Sequence, residues 1–253
     1  TCRHCKKNRL SFSGSGTQKI ELSLNRLFKT AHIIRIDKDN SKTAKQLEKT
    51  LNTFKDSGDI LIGTQLIAKG HHIEDVTLVG VLSIDTALQL PDFRSPERAF
   101  QLMMQVAGRA GRGDKAGHVY IQTHQAEHYA VTCAQEHNYD EFIDMESSFR
   151  EALNYPPYAE LTHVIFSCPN KKTLETYCRN VENTIHAHAL PDTVQVIGPK
   201  VSPIEKVRNH FRYSVLFKHQ KSDKEKIRTL LNAFPKAPAD CRVIPDFDPQ
   251  QLL

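Results

Sequence analysis

The chain has 253 residues, room for two domains, and its 39% hydrophobic and 25% charged content suits a globular protein rather than a disordered or fibrous one. No apolar run approaches the roughly 20 residues that span a bilayer, and the opening residues are polar and basic, so neither a transmembrane helix nor a signal peptide is expected. The net charge of +5 is uneven: residues 1–125 carry +7, 126–157 carry −6 and 158–253 carry +4, two basic bodies joined by an acidic segment, which suits a polyanionic partner.

In chain order, Cys2-Arg3-His4-Cys5 comes first, with zinc-knuckle spacing. Two thiolates two residues apart can share one tetrahedral metal, but zinc needs four ligands and no second Cys/His cluster follows. The pair therefore reads either as part of a site or as a metal-free terminus. Cys133, Cys168, Cys178 and Cys241 stand singly, which argues against a disulfide framework. They read as buried small hydrophobes in a protein of the reducing cytoplasm.

Residues 17–125 alternate helix and strand. Thr17–Phe28 carries a helical stripe of Ile20, Leu24, Leu27 and Phe28, followed by a short strand, His32–Ile36, and a helix, Lys42–Phe54. Strands are expected at Asp59–Thr64, Thr77–Asp85 and His118–Thr123, with a helix at Ser95–Ala110. Apolar strands alternating with helices predict an α/β lobe with a parallel sheet covered on both faces. Ligands of such sheets sit at the carboxyl ends of strands, where Thr64, Gln65 and Asp85 fall.

Gln125–Leu153 reads as one acidic amphipathic helix, with Phe142, Met145 and Phe149 as a packing stripe. Tyr155-Pro156-Pro157-Tyr158 breaks it and marks a linker. Beyond lie strand Glu160–Cys168, helix Lys171–Leu190, strands Val194–Gly198 and Phe211–Lys218, helix Lys224–Phe234 and strand Arg242–Phe247. That β-α-β-β-α-β order predicts a smaller α+β, ferredoxin-like domain. The expected organisation is therefore 1–14, 15–125, 126–157 and 158–253. Between the middle strands of the last domain, Lys206, Arg208, His210 and Arg212 make a basic stretch, which is either solvated or phosphate-binding.

The densest chemistry lies between Asp59 and Arg112. Gln105-Val106-Ala107-Gly108-Arg109-Ala110-Gly111-Arg112 ends a helix in two arginines about one turn apart. Arginine forks match phosphate oxygens bidentately and stay charged, while Gly108 and Gly111 let a large anion approach the backbone. This is the pattern of an arginine finger, which meets charge developing on a transferring phosphoryl group; a solvated basic helix end is the alternative. No Gly-x-x-x-x-Gly-Lys-Ser/Thr loop occurs, and Gly14-Ser15-Gly16-Thr17 lacks the lysine.

The run from Gln105 to Arg112 resembles the last motif of superfamily 2 helicases, and Gly63-Thr64-Gln65-Leu66-Ile67-Ala68-Lys69-Gly70-His71-His72 resembles the motif before it. With Asp92-Phe93-Arg94-Ser95-Pro96-Glu97-Arg98 and the leading cysteine pair, the resemblance narrows to the PriA family, the bacterial replication-restart helicases (primosomal protein N′). It implies that residues 15–125 are the second RecA-like lobe and residues 158–253 a DNA-binding domain. It further implies that Gln105, Arg109 and Arg112 face ATP and its magnesium on a first lobe, with Gly70 and Gly108 at the nucleotide. Thr64, Gln65 and Lys69 would touch the DNA backbone, as would Lys206, Arg208 and Arg212. Thr64 also reads as a strand-ending turn residue and Lys69 as a solvated lysine. Asp85 is expected to hydrogen-bond a neighbouring motif, while His71 and His72 receive no assignment. Cys2 and Cys5 would be zinc ligands completed by upstream pairs.

Without a phosphate loop, the chain is expected to be a C-terminal fragment of a larger ATP-dependent 3′–5′ DNA helicase of the bacterial cytoplasm, inactive by itself. Its implied partners are forked and single-stranded DNA, primosome proteins and single-stranded-DNA-binding protein, with no membrane. The alternatives are a catalytically silent DNA- or protein-binding module and a fork-reversal translocase, which the leading cysteine pair argues against.

Overall fold

A computed structural model of the chain describes residues 16–37, 43–64, 76–108, 110 and 117–252. It divides into two compact units, one of residues 1–82 and 101–122, the other of 83–100 and 123–253.

In the first unit α1 (Thr17–Leu27) leads to β1 (Ile33–Ile36), α2 (Ala44–Ser57) to β2 (Ile60–Gly63), and β3 (Leu78–Val81) and β4 (His118–Ile121) follow. A capping box starts α2: the Thr43 hydroxyl accepts from the Gln46 N–H, and the Gln46 side chain accepts from the Thr43 N–H, each at 3.2 Å. β1 and β2 pair in parallel from Ile33↔Ile60 to Ile36↔Gly63, and β3 and β4 from Leu78↔His118 to Val81↔Ile121. Ile34, Ile36, Leu51 and Ile62 are buried, which is why the short strand runs are apolar. Arg35 departs from that pattern: its guanidinium ties β1 to α1 by pairing with Glu21 at 2.8 Å, and it also pairs with Asp37 just past the strand.

The strand expected to reach Asp85 stops at Val81. Ser83 takes a left-handed φ of 59°, and Asp85 opens a helical turn, α3 (Asp85–Leu88), instead of ending a strand. Local apolarity through Leu82 and Ile84 hid the break. A longer helix, α4 (Ser95–Ala107), follows.

In the second unit the acidic helix expected over 125–153 is two helices, α5 (Tyr129–Gln135) and α6 (Tyr139–Ala152). His137 is left-handed, with φ 55°, and Asn138 caps α6 by accepting from the Glu141 N–H at 3.1 Å. Amphipathic periodicity continues through such a break because both helices pack. Phe142 is buried and stacks on Phe100 with centroids 4.0 Å apart, and Phe149, half-exposed, packs its ring on Tyr129 with centroids 5.3 Å apart, while Met145 is partly exposed.

The remaining strands, β5 (Glu160–Cys168), β6 (Gln195–Val207), β7 (His210–His219) and β8 (Arg242–Phe247), form one antiparallel sheet in the order β6-β7-β5-β8. Helices α7 (Lys171–Ala187) and α8 (Lys224–Asn232) supply Leu174, Val181, Ile227 and Leu230 to a core that takes Val164, Phe166, Val215 and Phe217 from alternate strand positions.

β6 runs well past the Gly198 at which the sequence pattern ends it. Gly198-Pro199 marks a register shift rather than a terminus, permitted because β6 is an edge strand and proline lacks a ladder donor. Gly198 has φ 102°, and a Cβ there would stand 2.6 Å from the Ser214 carbonyl oxygen, so the position needs glycine.

A second correction concerns the cysteines. Cys168 and Cys241 are buried as expected, yet they form a disulfide with Cα atoms 4.4 Å apart. Their separation of 73 residues left no spacing signal; the antiparallel register Ser167↔Arg242 brings them side by side. Cys133 and Cys178 are buried free thiols, and burial pushes that of Cys178 up to about 12.

Candidate functional site

Of the nucleotide-facing candidates, Gln105 lies in the last turn of α4 and Gly108 just after it. Val106 and Met103 turn inward and are buried, so Gln105, between them in sequence, is exposed on the other face. The Gly108 N–H donates to the Met104 carbonyl at 3.1 Å, completing the last turn. Among the described residues, a Cβ on Gly108 would meet nothing closer than that carbonyl oxygen, at 3.6 Å. Arg109 and Arg112 lie outside the described residues, as do Gln65, Lys69, Gly70, His71 and His72.

Thr64, one residue beyond β2, is exposed at the carboxyl end of its strand. Asp85 is buried, and its carboxylate accepts from the Thr123 hydroxyl at 2.8 Å and the His124 N–H at 3.1 Å. The Thr123 bond above all holds this carboxyl below the usual carboxylate range. Asp85 thus braces the chain just after β4.

The basic stretch is not a loop but the tip of the β6–β7 hairpin. Arg208 and Asn209 form its two-residue turn, with φ 45° and 67°, closed by the pair Val207↔His210. Positive φ at both turn residues is the type I′ geometry that matches strand twist. Lys206 and Arg208 are exposed and Arg212 half-buried. Lys206 pairs with Phe211 across the hairpin and sets its ammonium 4.7 Å from the ring centroid. Strand alternation turns Arg212 to the opposite face from Phe211. The three cations therefore surround the tip instead of lining one face.

Sequence reasoning passed over Lys171, whose ammonium lies 5.9 Å from the same ring centroid and pairs with Glu205 at 2.7 Å. The Glu205 bond raises its pKa. Position gave the only hint, since Lys171 is the first residue of α7.

Among the described residues no group of three or more His, Cys, Asp or Glu side chains could hold a metal, and Cys2 and Cys5 lie outside them. No helix of the described residues is long and apolar enough to cross a membrane.

Two family models match in order along the chain: the helicase conserved C-terminal domain over residues 6–114 and the primosomal protein N C-terminal domain over residues 151–250. The replication restart protein PriA of Bacillus subtilis is 40% identical over 221 residues, covering 87% of this chain and 27% of the relative. PriA of Treponema pallidum is 35% identical, covering 100% of this chain and 38% of the relative, and that of Haemophilus influenzae 32% identical, covering 99% and 35%. The chain thus spans less than two fifths of the length of these relatives. With a helicase C-terminal domain followed by a primosomal C-terminal domain, and relatives of one name along both, this chain matches the C-terminal region of the PriA replication restart proteins.

Proposed function

We propose that the chain works as the second motor lobe and C-terminal domain of an ATP-dependent 3′–5′ DNA helicase of the bacterial cytoplasm, which recognises and remodels stalled forks and assembles the primosome. The observation that carries this reading is the succession of the two family models on a chain related throughout to replication restart proteins. We assign the RecA-like lobe to residues 15–125, a helical connector to 126–157 and a DNA-binding domain to 158–253. The order β6-β7-β5-β8 with two helices on one face supports a ferredoxin-like plan for that domain, its four strands lying in the order 2-3-1-4.

In the mechanism, two lobes close on ATP and magnesium. Gln105, Arg109 and Arg112 approach the phosphates from α4 and the residues after it, beside Gly70 and Gly108. Thr64, Gln65 and Lys69 hold the backbone of the single strand, and Lys206, Arg208 and Arg212 hold the fork. Single-stranded-DNA-binding protein and primosome proteins are the protein partners.

The 253-residue chain by itself is expected to hydrolyse no ATP above background, with or without DNA, because its sequence has no phosphate loop. Clear DNA-stimulated turnover by the purified chain overturns the lobe assignment.

Cys2 and Cys5 would supply two thiolates to a tetrahedral zinc completed by further cysteines, a closed site that stabilises the fold. In the full-length protein Cys2→Ser with Cys5→Ser is expected to lower bound zinc, measured by elemental analysis. An unchanged zinc content removes both residues from the ligand set.

A further inference from the structure

The antiparallel sheet of the second unit has helices on one face, and its other face carries chemistry of its own. Strand register lines up Arg242 of β8, Ser167 of β5 and Arg212 of β7 in one row across the sheet. The alternation that sends Val164, Phe166 and Val215 into the core turns all three to the helix-free side. Ser167 lies between the two arginines, whose Cα atoms stand two strand spacings apart, about 10 Å. Two guanidinium forks can close over one anion across that span. Arg242 is exposed and Arg212 half-buried, and neither has a hydrogen-bond or ion-pair partner among the described residues.

The next row along the sheet is apolar. Ile244 and Ile165 pair across β8 and β5, and Ile244, on the edge strand, is 49% exposed. One row further, His163 is buried, and its Nδ1 has no hydrogen-bond partner among the described residues. Burial above all lowers the His163 pKa, with Asp246 opposing the shift and Arg212 adding to it, so both charges bear on this face. Beyond His163 the face is closed: Lys218 donates to the Leu153 carbonyl at 2.7 Å and stands 3.6 Å from the Tyr155 ring centroid. What stays open is a short platform, an apolar floor beside a row of cations.

Such a platform fits an unpaired nucleotide better than a duplex. A duplex turns its phosphates outward and keeps its base faces stacked, whereas a single strand offers a base face to the floor and a phosphate to the forks. We infer that the helix-free face of this sheet is a binding site for single-stranded nucleic acid. Arg242 and Arg212 hold a phosphate over Ser167, and the adjoining base lies on Ile244 and Ile165. This rests on the reading of residues 158–253 as a DNA-binding domain and adds to it a surface beyond the hairpin tip.

The test is equilibrium binding of the 253-residue chain to a labelled oligothymidylate and to a blunt duplex across a salt series, with melting temperature as the check on folding. Arg242→Ala is expected to weaken oligothymidylate binding about tenfold and to lower its log–log salt slope by about 0.7, the value of one single-strand phosphate. Ile244→Tyr, a residue that suits a strand, is expected to tighten that binding about fivefold by stacking. It should leave the salt slope and the duplex affinity unchanged, which a merely structural role for Ile244 does not predict. Oligothymidylate binding that neither variant alters overturns the inference, as does a matching change in duplex affinity. A chain that binds the duplex but not the oligothymidylate also overturns it, while the DNA-binding reading stands. A chain that binds neither removes that reading, and the inference with it.

Discussion

Replacing Arg112 with alanine in the full-length helicase is expected to lower ATP turnover by about 10³-fold while leaving ATP and DNA affinity within a few-fold of the parent. An arginine finger meets charge that develops mainly in the transition state, so its removal falls on kcat rather than on ground-state binding. On the proposed reading the helix that leads toward Arg112 carries Gln105 and runs into Gly108, both exposed. Arg112→Lys is also expected to fail, because an ammonium lacks the planar fork that spans two phosphate oxygens. Arg109 carries a smaller expected loss if it braces its neighbour, and an equal one if it too reaches phosphate. Single-turnover hydrolysis beside equilibrium nucleotide binding separates these effects. Parental turnover in Arg112→Ala would leave a solvated basic helix end and no finger.

Which parts of this molecule were legible in sequence follows from how local their physics is. The apolar runs of β1 and β2 and the strands β5 and β7 each reflect a neighbour a few residues away or a face buried whole. The β-α-β-β-α-β order was legible for the same reason. What escaped depends on partners far along the chain. Asp85 opens a helical turn and bonds Thr123 and His124, which no pattern around residue 85 announces. The extension of β6 past Gly198-Pro199 rests on its edge position, and the Cys168–Cys241 bond on strand register. Asn138 was the one missed signal within reach: a side chain that prefers helix caps, in the middle of an otherwise helical run. At the candidate site, the residue types around Gln105 and Lys206 were readable, but their relative placement was not. Sequence proximity suggested a basic loop, whereas the hairpin distributes its cations about a tip.

That distribution shapes the second large effect. Neutralising Lys206, Arg208 and Arg212 together is expected to weaken DNA binding strongly at low salt and to flatten its salt dependence, by about 0.9 in the log–log slope for each duplex phosphate that is no longer neutralised. The three should not contribute alike. Arg208 occupies the turn and is exposed, so a phosphate backbone reaching the hairpin end-on meets it first. Lys206 stands over the Phe211 ring, which draws its ammonium toward the α7 side beside Lys171. Arg212, on the other face and half-buried, has the least freedom to follow a strand. Arg208→Ala should therefore cost the most of the three single changes and Arg212→Ala the least. On the proposed reading these residues serve binding and not the phosphates of ATP, so the triple variant should still hydrolyse ATP at the parental rate once DNA is saturating. Fluorescence anisotropy with a forked duplex across a salt series measures the slopes directly. A triple variant whose affinity and slope match the parent would return the hairpin tip to a solvated surface and move fork recognition elsewhere in the protein.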